Sequence, residues 1–301
     1  MAELLLASCA EFPRLDPDST PLLPLLHDRG VACRVAAWDD PQVDWADADA
    51  VLVRSTWDYV DRRDAFVAWA DRLEDAGVRL WPGADLVTWN TEKSYLRGLE
   101  AGGIRTLPTV WAGPQDDPVA AVAAVRDRGW DDVVAKPVVG AGASGLRRFT
   151  GVRDSQSETL ALIEHVRELA RSTGGAMLQP YLPAVAGAGE TSVFFCEGAL
   201  THAVRKTAAE GDFRVQVEHG GTATRVEPGR DELDLATLAV AAVAAREGTA
   251  PLIARVDLVP DLDGRPGVIE VELIEPCLFL GVAPDAAATI ADAIARRLGV
   301  R

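Results

Sequence analysis

Lysine is rare in this chain, and its few positions are the first guide to chemistry. Of 30 basic residues only three are lysine, namely Lys93, Lys136 and Lys206. A lysine places a compact, movable ammonium at one point, whereas arginine presents a broad planar fork. Such point charges suit a phosphate chain, although a composition biased toward arginine could leave three lysines by chance. We take the three lysines as candidate phosphate ligands.

The sequence after Lys136 is rich in glycine. It reads KPVVGAGASG and matches the pattern G-x-G-x-x-G. A dinucleotide-binding loop would require a helix to begin there, but the following LRRFTGV does not read as a helix start. The lysine precedes the glycines, which excludes a P-loop, and the H-R-D and D-F-G signatures of protein kinases are missing. The sequence therefore predicts a flap between two strands whose backbone N–H groups and Ser144 hydroxyl approach phosphate, with a ligand-free tight hairpin as the alternative.

Three acidic residues fall on one face of a predicted hairpin in the last third of the chain. The strands IARVDLV and VIEVEL flank a predicted turn, and side chains two positions apart share a face. Asp257 is thus expected opposite Glu270, and Arg255 opposite Glu272. Like charges across a strand pair are destabilising unless a divalent cation binds them, and hard carboxylate oxygens suit Mg²⁺. We predict a metal site at Asp257, Glu270 and Glu272, with a solvated polar face as the alternative.

Composition narrows the range of partners. The net charge of −16 disfavours nucleic acid and anionic membrane surfaces. The four cysteines lie far apart and match no zinc or redox spacing, which indicates reduced thiols. We expect no leader peptide, because no basic and apolar segment opens the sequence, and we find no apolar run of bilayer length. We therefore expect a cytoplasmic protein without a membrane or nucleic-acid partner.

Element patterns predict a chain of mixed class, α/β followed by α+β. Strand and helix patterns alternate over the first third, which argues for a doubly wound parallel sheet covered on both faces. Hairpin patterns dominate later in the chain. We predict an N-terminal α/β domain at residues 1–100, a small lobe with the glycine-rich flap at residues 101–185, and a C-terminal lobe with the metal site at residues 186–301.

Taken in order, these motifs resemble the ATP-grasp superfamily. The resemblance rests on Lys93, Lys136 with its flap, the segment QPYL, Glu190 and the series Asp…Glu-x-Glu. Within the superfamily, RSTWDY, WNTEKSYL, HAVRKTAAEGDFRVQ and VELIEPCLFL are similar to the glutathione-synthetase-like group, and most of all to cycloserine-forming cyclo-ligases. The resemblance implies an ATP-grasp fold, in which two α+β lobes grip ATP.

The resemblance also implies roles at the nucleotide. Lys93 and Lys136 would touch the ATP phosphates, and Arg205 and Lys206 would hold the γ-phosphate and the developing acyl phosphate. The three carboxylates of the hairpin would hold two Mg²⁺, although relatives usually have Asn in place of Glu272. The flap over the phosphates would comprise Gly140, Gly142, Ser144 and Gly145. The backbone of a hinge would contact adenine, at Gln179, Pro180, Tyr181 and Leu182. Glu190 would bind the ribose.

Substrate contacts are less distinct in the sequence. Arg54 and Ser55 follow an apolar strand, where ligands of doubly wound sheets bind, and are candidates for a substrate carboxylate. Asp58 is a candidate for a substrate amine, with a helix cap as an equal alternative. Arg214 and Arg255 are candidates to face the reacting carboxylate. Glu275 could contact a substrate nitrogen, or it could equally serve only to shape a loop.

The implied activity is that of an ATP-dependent carboxylate–amine ligase acting on a small amino-acid-like substrate. A carboxylate oxygen attacks the γ-phosphate to give an acyl phosphate, and a nitrogen nucleophile then displaces phosphate. An intramolecular version would form cycloserine from O-ureidoserine. Two alternatives stay open: a ligase that adds an amino acid to a larger acceptor, and a nucleotide-binding module without turnover. We also expect a homo-oligomer, either a dimer or a tetramer.

Overall fold

The computed structural model describes residues 1–209 and 220–300. The strands are β1 (Ala2–Ser8), β2 (Val31–Ala37), β3 (Ala50–Val53), β4 (Leu80–Trp81), β5 (Val110–Ala112), β6 (Val133–Pro137), β7 (Arg147–Phe149), β8 (Ala176–Pro180), β9 (Glu190–Cys196), β10 (Ala199–Thr207), β11 (Thr222–Val226), β12 (Ile253–Pro260) and β13 (Pro266–Glu272). The α-helices are α1 (Leu22–Asp28), α2 (Arg63–Asp75), α3 (Ala84–Asn90), α4 (Tyr95–Ala101), α5 (Pro118–Asp127), α6 (Gln156–Thr173), α7 (Pro183–Ala188), α8 (Arg230–Glu247) and α9 (Pro284–Leu298). Within these two ranges, no helix is long and apolar enough to cross a membrane.

The N-terminal sheet is parallel and has the order β2-β1-β3-β4. Neighbouring residues of β1 point to opposite faces. Leu4 and Leu6 share a core with α1 and the C-terminal helix α9, whereas Leu5 and Ala7 share a core with α2. The predicted parallel sheet with helices on both faces is confirmed. One of its covers, α9, comes from the segment assigned to the C-terminal lobe, and the division into three domains stays a prediction.

The middle sheet is antiparallel and has the order β5-β8-β6-β7. Helices α5 and α6 contribute Val122 and Leu162 to its core. The glycine-rich segment joins β6 to β7, which confirms its predicted position between two strands, while its approach to phosphate stays a prediction. Gly142 and Gly145 have φ angles of 59° and 70°, a left-handed conformation that glycine adopts without a Cβ clash.

The C-terminal sheet is antiparallel, has the order β11-β10-β9-β12-β13, and therefore presents β13 as an edge strand. Helix α8 packs on one face, where Ala239 and Val243 meet Val193 and Val256. On the opposite face, Phe194 and its apolar neighbours pack toward α9, while polar side chains occupy the other end. Because side chains alternate between the two faces, the polar side chains gather at one end of the face opposite α8, where a ligand could bind.

The helical structure breaks between α3 and α4. The Thr91 N–H donates to the Val87 carbonyl, so Thr91 closes α3 instead of opening α4. Helix α4 begins only after Ser94. Lys93 consequently lies in an irregular segment between two helices, where its side chain and backbone can both reach other elements.

Candidate functional site

Three carboxylates meet on one face of the β12–β13 hairpin. Asp257 of β12 pairs with Glu270 of β13, and Arg255 pairs with Glu272, which is the predicted register. One oxygen from each of Asp257, Glu270 and Glu272 lies within 4.8 Å of the others. The cluster forms because residues two positions apart on a strand share a face.

Cations surround Asp257 in particular. Arg255 donates to it with 2.9 Å between Nη2 and Oδ2, and Ser192 Oγ donates to Oδ1 at 2.6 Å. Lys206 forms an ion pair with Glu190, and its Nζ lies 3.4 Å from Asp257 Oδ2. Burial opposes ionisation of Asp257, but Arg255 and Lys206 outweigh it and hold the pKa of this carboxyl well below its usual range.

Glu272 has the opposite electrostatic balance. Burial raises its pKa to about 8, because the hydrogen-bonded Arg255 does not offset burial together with the charges of Glu270 and Asp257. Ionised Glu272 therefore needs more positive charge than its protein partners supply. A divalent cation would supply that charge, and carboxylate oxygens suit Mg²⁺, so these residues fit a divalent cation.

Lys93 brings positive charge to the same place. Its Nζ lies 2.9 Å from Glu270 Oε1 and donates to the Gly140 carbonyl at 2.6 Å. Its backbone N–H donates to the Val138 carbonyl at 2.8 Å. The segment between α3 and α4 is therefore joined both to the acidic hairpin and to the base of the glycine-rich flap.

Lys136 lies on β6 just before the flap. Its side chain is buried, and it makes no hydrogen bond or ion pair with any residue in the described part of the chain. Burial lowers its pKa to about 8, and the nearby charge of Lys93 adds to this effect while Glu270 opposes it. A buried ammonium without a partner among the described residues is well suited to bind an anionic ligand between the flap and the acidic hairpin.

Arg205 does not join the cluster, which corrects the expectation that it holds the γ-phosphate beside Lys206. Side chains of adjacent strand residues point to opposite faces. Lys206 faces Asp257, whereas Arg205 lies on the α8 side, where it donates to the Ala188 carbonyl at 2.9 Å and to Glu232 at 3.3 Å. Strand alternation therefore decides which of the two adjacent basic residues reaches the site.

The segment predicted as the adenine-reading hinge links the middle and C-terminal sheets, because β8 leads through α7 into β9. The Gln179 side chain donates to Thr109 Oγ1 at 2.9 Å, and the Tyr181 N–H donates to the Asp132 carbonyl at 2.8 Å. These contacts hold the segment in place. Adenine contact by this backbone, and ribose contact by Glu190, stay predictions.

Arg54 is placed deeper than the sequence predicts. Its side chain is 1% exposed, and Nη2 donates to Ser19 Oγ at 3.0 Å and to the Pro276 carbonyl at 2.8 Å. Its Nε and Nη1 atoms have no hydrogen-bond partner among the described residues. The guanidinium fixes the loop after β13, and direct contact between Arg54 and a substrate carboxylate stays a prediction.

The neighbouring candidates Ser55 and Asp58 are engaged within the N-terminal part of the chain. The Ser55 hydroxyl donates to Asp16 Oδ2 at 2.7 Å and accepts from the Asp16 N–H at 3.1 Å. Asp58 accepts from Trp38 Nε1 at 2.9 Å and pairs with Arg62, and it lies in the first turn of a short 3₁₀ helix instead of at its cap. This geometry favours structural roles for both residues.

Glu275 is buried near the acidic hairpin. It is hydrogen bonded to Tyr59, and burial raises its pKa to about 7 although Tyr59 and Lys93 oppose the shift. Contact between Glu275 and a substrate nitrogen stays a prediction. Arg214, the remaining substrate candidate, lies outside the described residues.

Sequence reasoning missed Asn90 and Tyr95, which hydrogen bond to the backbone of β13 beside the carboxylates. Both flank Lys93 in WNTEKSYL, and Asn90 is the only asparagine in the chain, a signal comparable with the rarity of lysine. Asp18 was missed too, because its partners lie far away in sequence. Its carboxylate accepts hydrogen bonds from three successive backbone N–H groups after β13: Leu278, Phe279 and Leu280.

Comparisons with known proteins identify the family of the chain. Residues 4–82 match the family described as the N-terminal domain of D-cycloserine synthetase DcsG, and residues 118–277 match the ATP-grasp domain of prokaryotic glutathione synthetase. The chain is 35% identical over 290 residues to the cycloserine biosynthesis protein DcsG of Streptomyces lavendulae, an alignment that covers 94% of this chain and 95% of that protein.

Solved structures share the fold over the whole chain. The crystal structure of D-cycloserine synthetase DcsG matches with a TM-score of 0.89 and 32% identity, covering 99% of this chain and 100% of that chain. A RimK domain ATP-grasp protein from Sphaerobacter thermophilus matches with a TM-score of 0.69 and 20% identity, covering 98% of each chain. The D-alanine–D-alanine ligase of Bacillus anthracis, complexed with ATP, matches with a TM-score of 0.68 and 15% identity, covering 99% and 97%. The last two similarities establish the fold alone.

Proposed function

This chain belongs to the family of ATP-grasp ligases that includes DcsG, and we propose that it uses ATP to close the ring of cycloserine from O-ureidoserine. The observation that carries the proposal is the meeting of lysines beside the flap with the carboxylates of β12 and β13, joined by the contact of Lys93 with Glu270. The identity to DcsG along nearly the whole chain supports the substrate class. Because the crystallised relative is a D-cycloserine synthetase, we propose the D enantiomer.

The first step activates the substrate carboxylate. One of its oxygens attacks the γ-phosphorus of ATP, the bond to the β–γ bridging oxygen breaks, and an acyl phosphate and ADP result. Lys93, Lys136 and Lys206 would offset the negative charge that develops on the transferred group. The glycine-rich flap would exclude water, which otherwise hydrolyses the acyl phosphate.

Asp257, Glu270 and Glu272 would hold Mg²⁺, and we propose two ions. When bound, the metal supplies positive charge to the phosphate oxygens and helps to orient them. The carboxylates contribute the oxygen ligands, and Arg255 and Ser192 fix the orientation of Asp257 through hydrogen bonds at 2.9 Å and 2.6 Å.

The second step joins nitrogen to carbon within one molecule. The nitrogen bonded to the side-chain oxygen of O-ureidoserine attacks the acyl carbon, and phosphate leaves with the electron pair of the broken C–O bond. The attacking nitrogen gives up its proton on forming the ring. Water then cleaves the bond between this nitrogen and the carbamoyl carbon, the nitrogen takes up a proton, and the carbamate released breaks down to CO₂ and ammonia. We propose that Arg255 faces the developing oxyanion and that Glu275, hydrogen bonded to Tyr59, contacts the nitrogen.

The test measures ADP release and product mass with O-ureido-D-serine, with its L enantiomer, and with pairs of free amino acids. We expect ADP, phosphate and a product with the mass of cycloserine only with the D enantiomer. A dipeptide formed from two amino acids would instead favour an intermolecular ligase. ATP binding in calorimetry without ADP release from any of these substrates would contradict the proposed turnover.

A further inference from the structure

We infer that Asn90 and Tyr95 are positioning residues for the metal-binding carboxylates, which they hold through the backbone of β13. The inference rests on the proposed function in taking Glu270 and Glu272 as metal ligands. The hydrogen bonds of Asn90 and Tyr95 go to the peptide groups that set the direction of both glutamates.

The strand β13 is an edge strand, and residues 105–107 pair with its outer side only at Val268. Beyond Val268, that side has no partner strand among the described residues. In the ladder with β12, Glu270 and Glu272 lie opposite Asp257 and Arg255. The peptide groups of the intervening Val271 point the other way, toward the open edge. Buried peptide groups without hydrogen-bond partners are destabilising. A strand edge whose peptide groups lack such partners is also free to shift.

Two side chains take the place of a neighbouring strand at this edge. The Tyr95 hydroxyl accepts from the Val271 N–H at 2.8 Å and donates to the Val271 carbonyl at 2.9 Å. The Asn90 amide donates to the same carbonyl at 2.8 Å and accepts from the Leu273 N–H at 2.9 Å. Asn90 and Tyr95 are 8% and 4% exposed, so bulk water does not compete for these bonds.

The location of these bonds gives them their effect. Val271 lies between Glu270 and Glu272, so a rotation of its peptide planes moves both carboxylates at once. Asp257 belongs to β12 and keeps its own hydrogen bond from Ser192, whereas Arg255 bonds to both Asp257 and Glu272. Loss of the edge contacts would therefore disturb the spacing among the three ligands without removing any of them.

The same short segment carries Lys93, which lies between Asn90 and Tyr95 in the sequence. Lys93 is paired with Glu270, while its two flanking residues bond to the strand that carries Glu270. The distance between a phosphate-binding lysine and the metal-binding carboxylates is thus set within one local unit of structure. This arrangement links metal affinity to residues that contact neither metal nor nucleotide.

Tyr95→Phe is the decisive variant, because it removes one hydroxyl and leaves the ring in place. Mn²⁺ binding in the presence of ADP is titrated by electron paramagnetic resonance, with metal-free ADP binding and thermal unfolding measured alongside. We expect the Mn²⁺ dissociation constant to rise about 10-fold, while metal-free ADP binding changes by less than about 2-fold. Asn90→Ala loses hydrogen bonds to two residues and should raise the Mn²⁺ dissociation constant at least as much.

Thr159→Val is the matched control for the loss of a bonded hydroxyl. Thr159 lies on α6, and its Oγ1 donates to the Val152 and Ser155 carbonyls at 2.8 Å and 2.9 Å. This variant should lower the unfolding temperature and leave the Mn²⁺ dissociation constant unchanged. If Tyr95→Phe behaves in the same way, its role is only structural and the inference is overturned. If the wild-type protein itself binds no Mn²⁺ with ADP, the proposed function fails together with the inference. The wild-type titration therefore distinguishes failure of the proposed function from failure of the inference alone.

Discussion

Lys93 and Glu270 are in direct contact, with 2.9 Å between Nζ and Oε1. Burial opposes the charge on Lys93, but Glu270 outweighs burial and raises the pKa of the lysine. The two residues come from distant parts of the chain, one from the segment between α3 and α4 and the other from β13. Their contact brings the proposed phosphate-binding lysine and a proposed metal ligand to one place.

Glu270→Gln should separate catalysis from folding. The amide keeps the size of the side chain but removes its charge, so metal binding weakens while the hairpin remains. We expect turnover at fixed Mg²⁺ to fall by about 100-fold or more, with partial recovery at high Mg²⁺. Steady-state kinetics across a Mg²⁺ titration checks this, with the exposed Glu100→Gln as control. Turnover close to that of the wild type would contradict a metal-binding role for Glu270.

Lys136 should take up a proton when ATP binds at alkaline pH. Its pKa of about 8 lies below the ordinary lysine value, so at pH 8.5 roughly three-quarters of the molecules hold it neutral. A triphosphate favours the charged form and raises the pKa again. Calorimetry in two buffers of different ionisation enthalpy should show an uptake of about 0.7 proton at pH 8.5 and about 0.1 at pH 7.

The control for this uptake is Lys136→Arg, because a guanidinium stays charged at both pH values. That variant should bind ATP without the buffer-dependent heat assigned to Lys136. Equal proton uptake in the wild type and in Lys136→Arg would show that another group titrates and would remove Lys136 from the phosphate site.

Glu275→Gln should stabilise the protein above neutral pH. The folded-state pKa of Glu275, about 7, lies above its unfolded value, so the native state binds this proton more tightly. The contribution of protonated Glu275 to the free energy of unfolding is fully present below about pH 4 and is lost as the pH rises through about 7. At pH 8 the variant should gain about 3 kcal/mol in unfolding free energy, and near pH 4 the difference should vanish. Denaturant unfolding across this range checks the trend, and a constant difference at every pH would contradict it.

Lys206 and Arg205 are adjacent in sequence but should differ in function. Lys206→Met removes an ammonium beside Asp257, and we expect turnover to fall by about 100- to 1,000-fold. Arg205→Met loses contacts with the Ala188 carbonyl and Glu232 on the α8 side, so it should lower stability by about 1 kcal/mol with turnover within about 3-fold of the wild type. Kinetics and thermal unfolding of both variants check the contrast. Equal losses of turnover would show that strand alternation does not separate the two roles.

Local patterns in the sequence were enough to predict much of the site. The register of Asp257 with Glu270 follows from strand periodicity, and the flap after Lys136 follows from glycine between two strands. The parallel N-terminal sheet follows from alternating strand and helix patterns. These features depend on neighbours within a few residues, so their physical causes are visible in the sequence itself.

Other features depend on which distant segments meet, and only the tertiary structure decided them. The depth of Arg54, the packing of α9 on the N-terminal sheet, and the bonds of Asn90 and Tyr95 to β13 all join segments far apart in the chain. Strand alternation also assigned Lys206 and Arg205 to opposite faces, but the packing of α8 decided which face remains for ligand. The sequence alone thus determined which groups are available for chemistry, whereas long-range packing determined which of them converge, because burial and edge pairing are properties of the assembled chain.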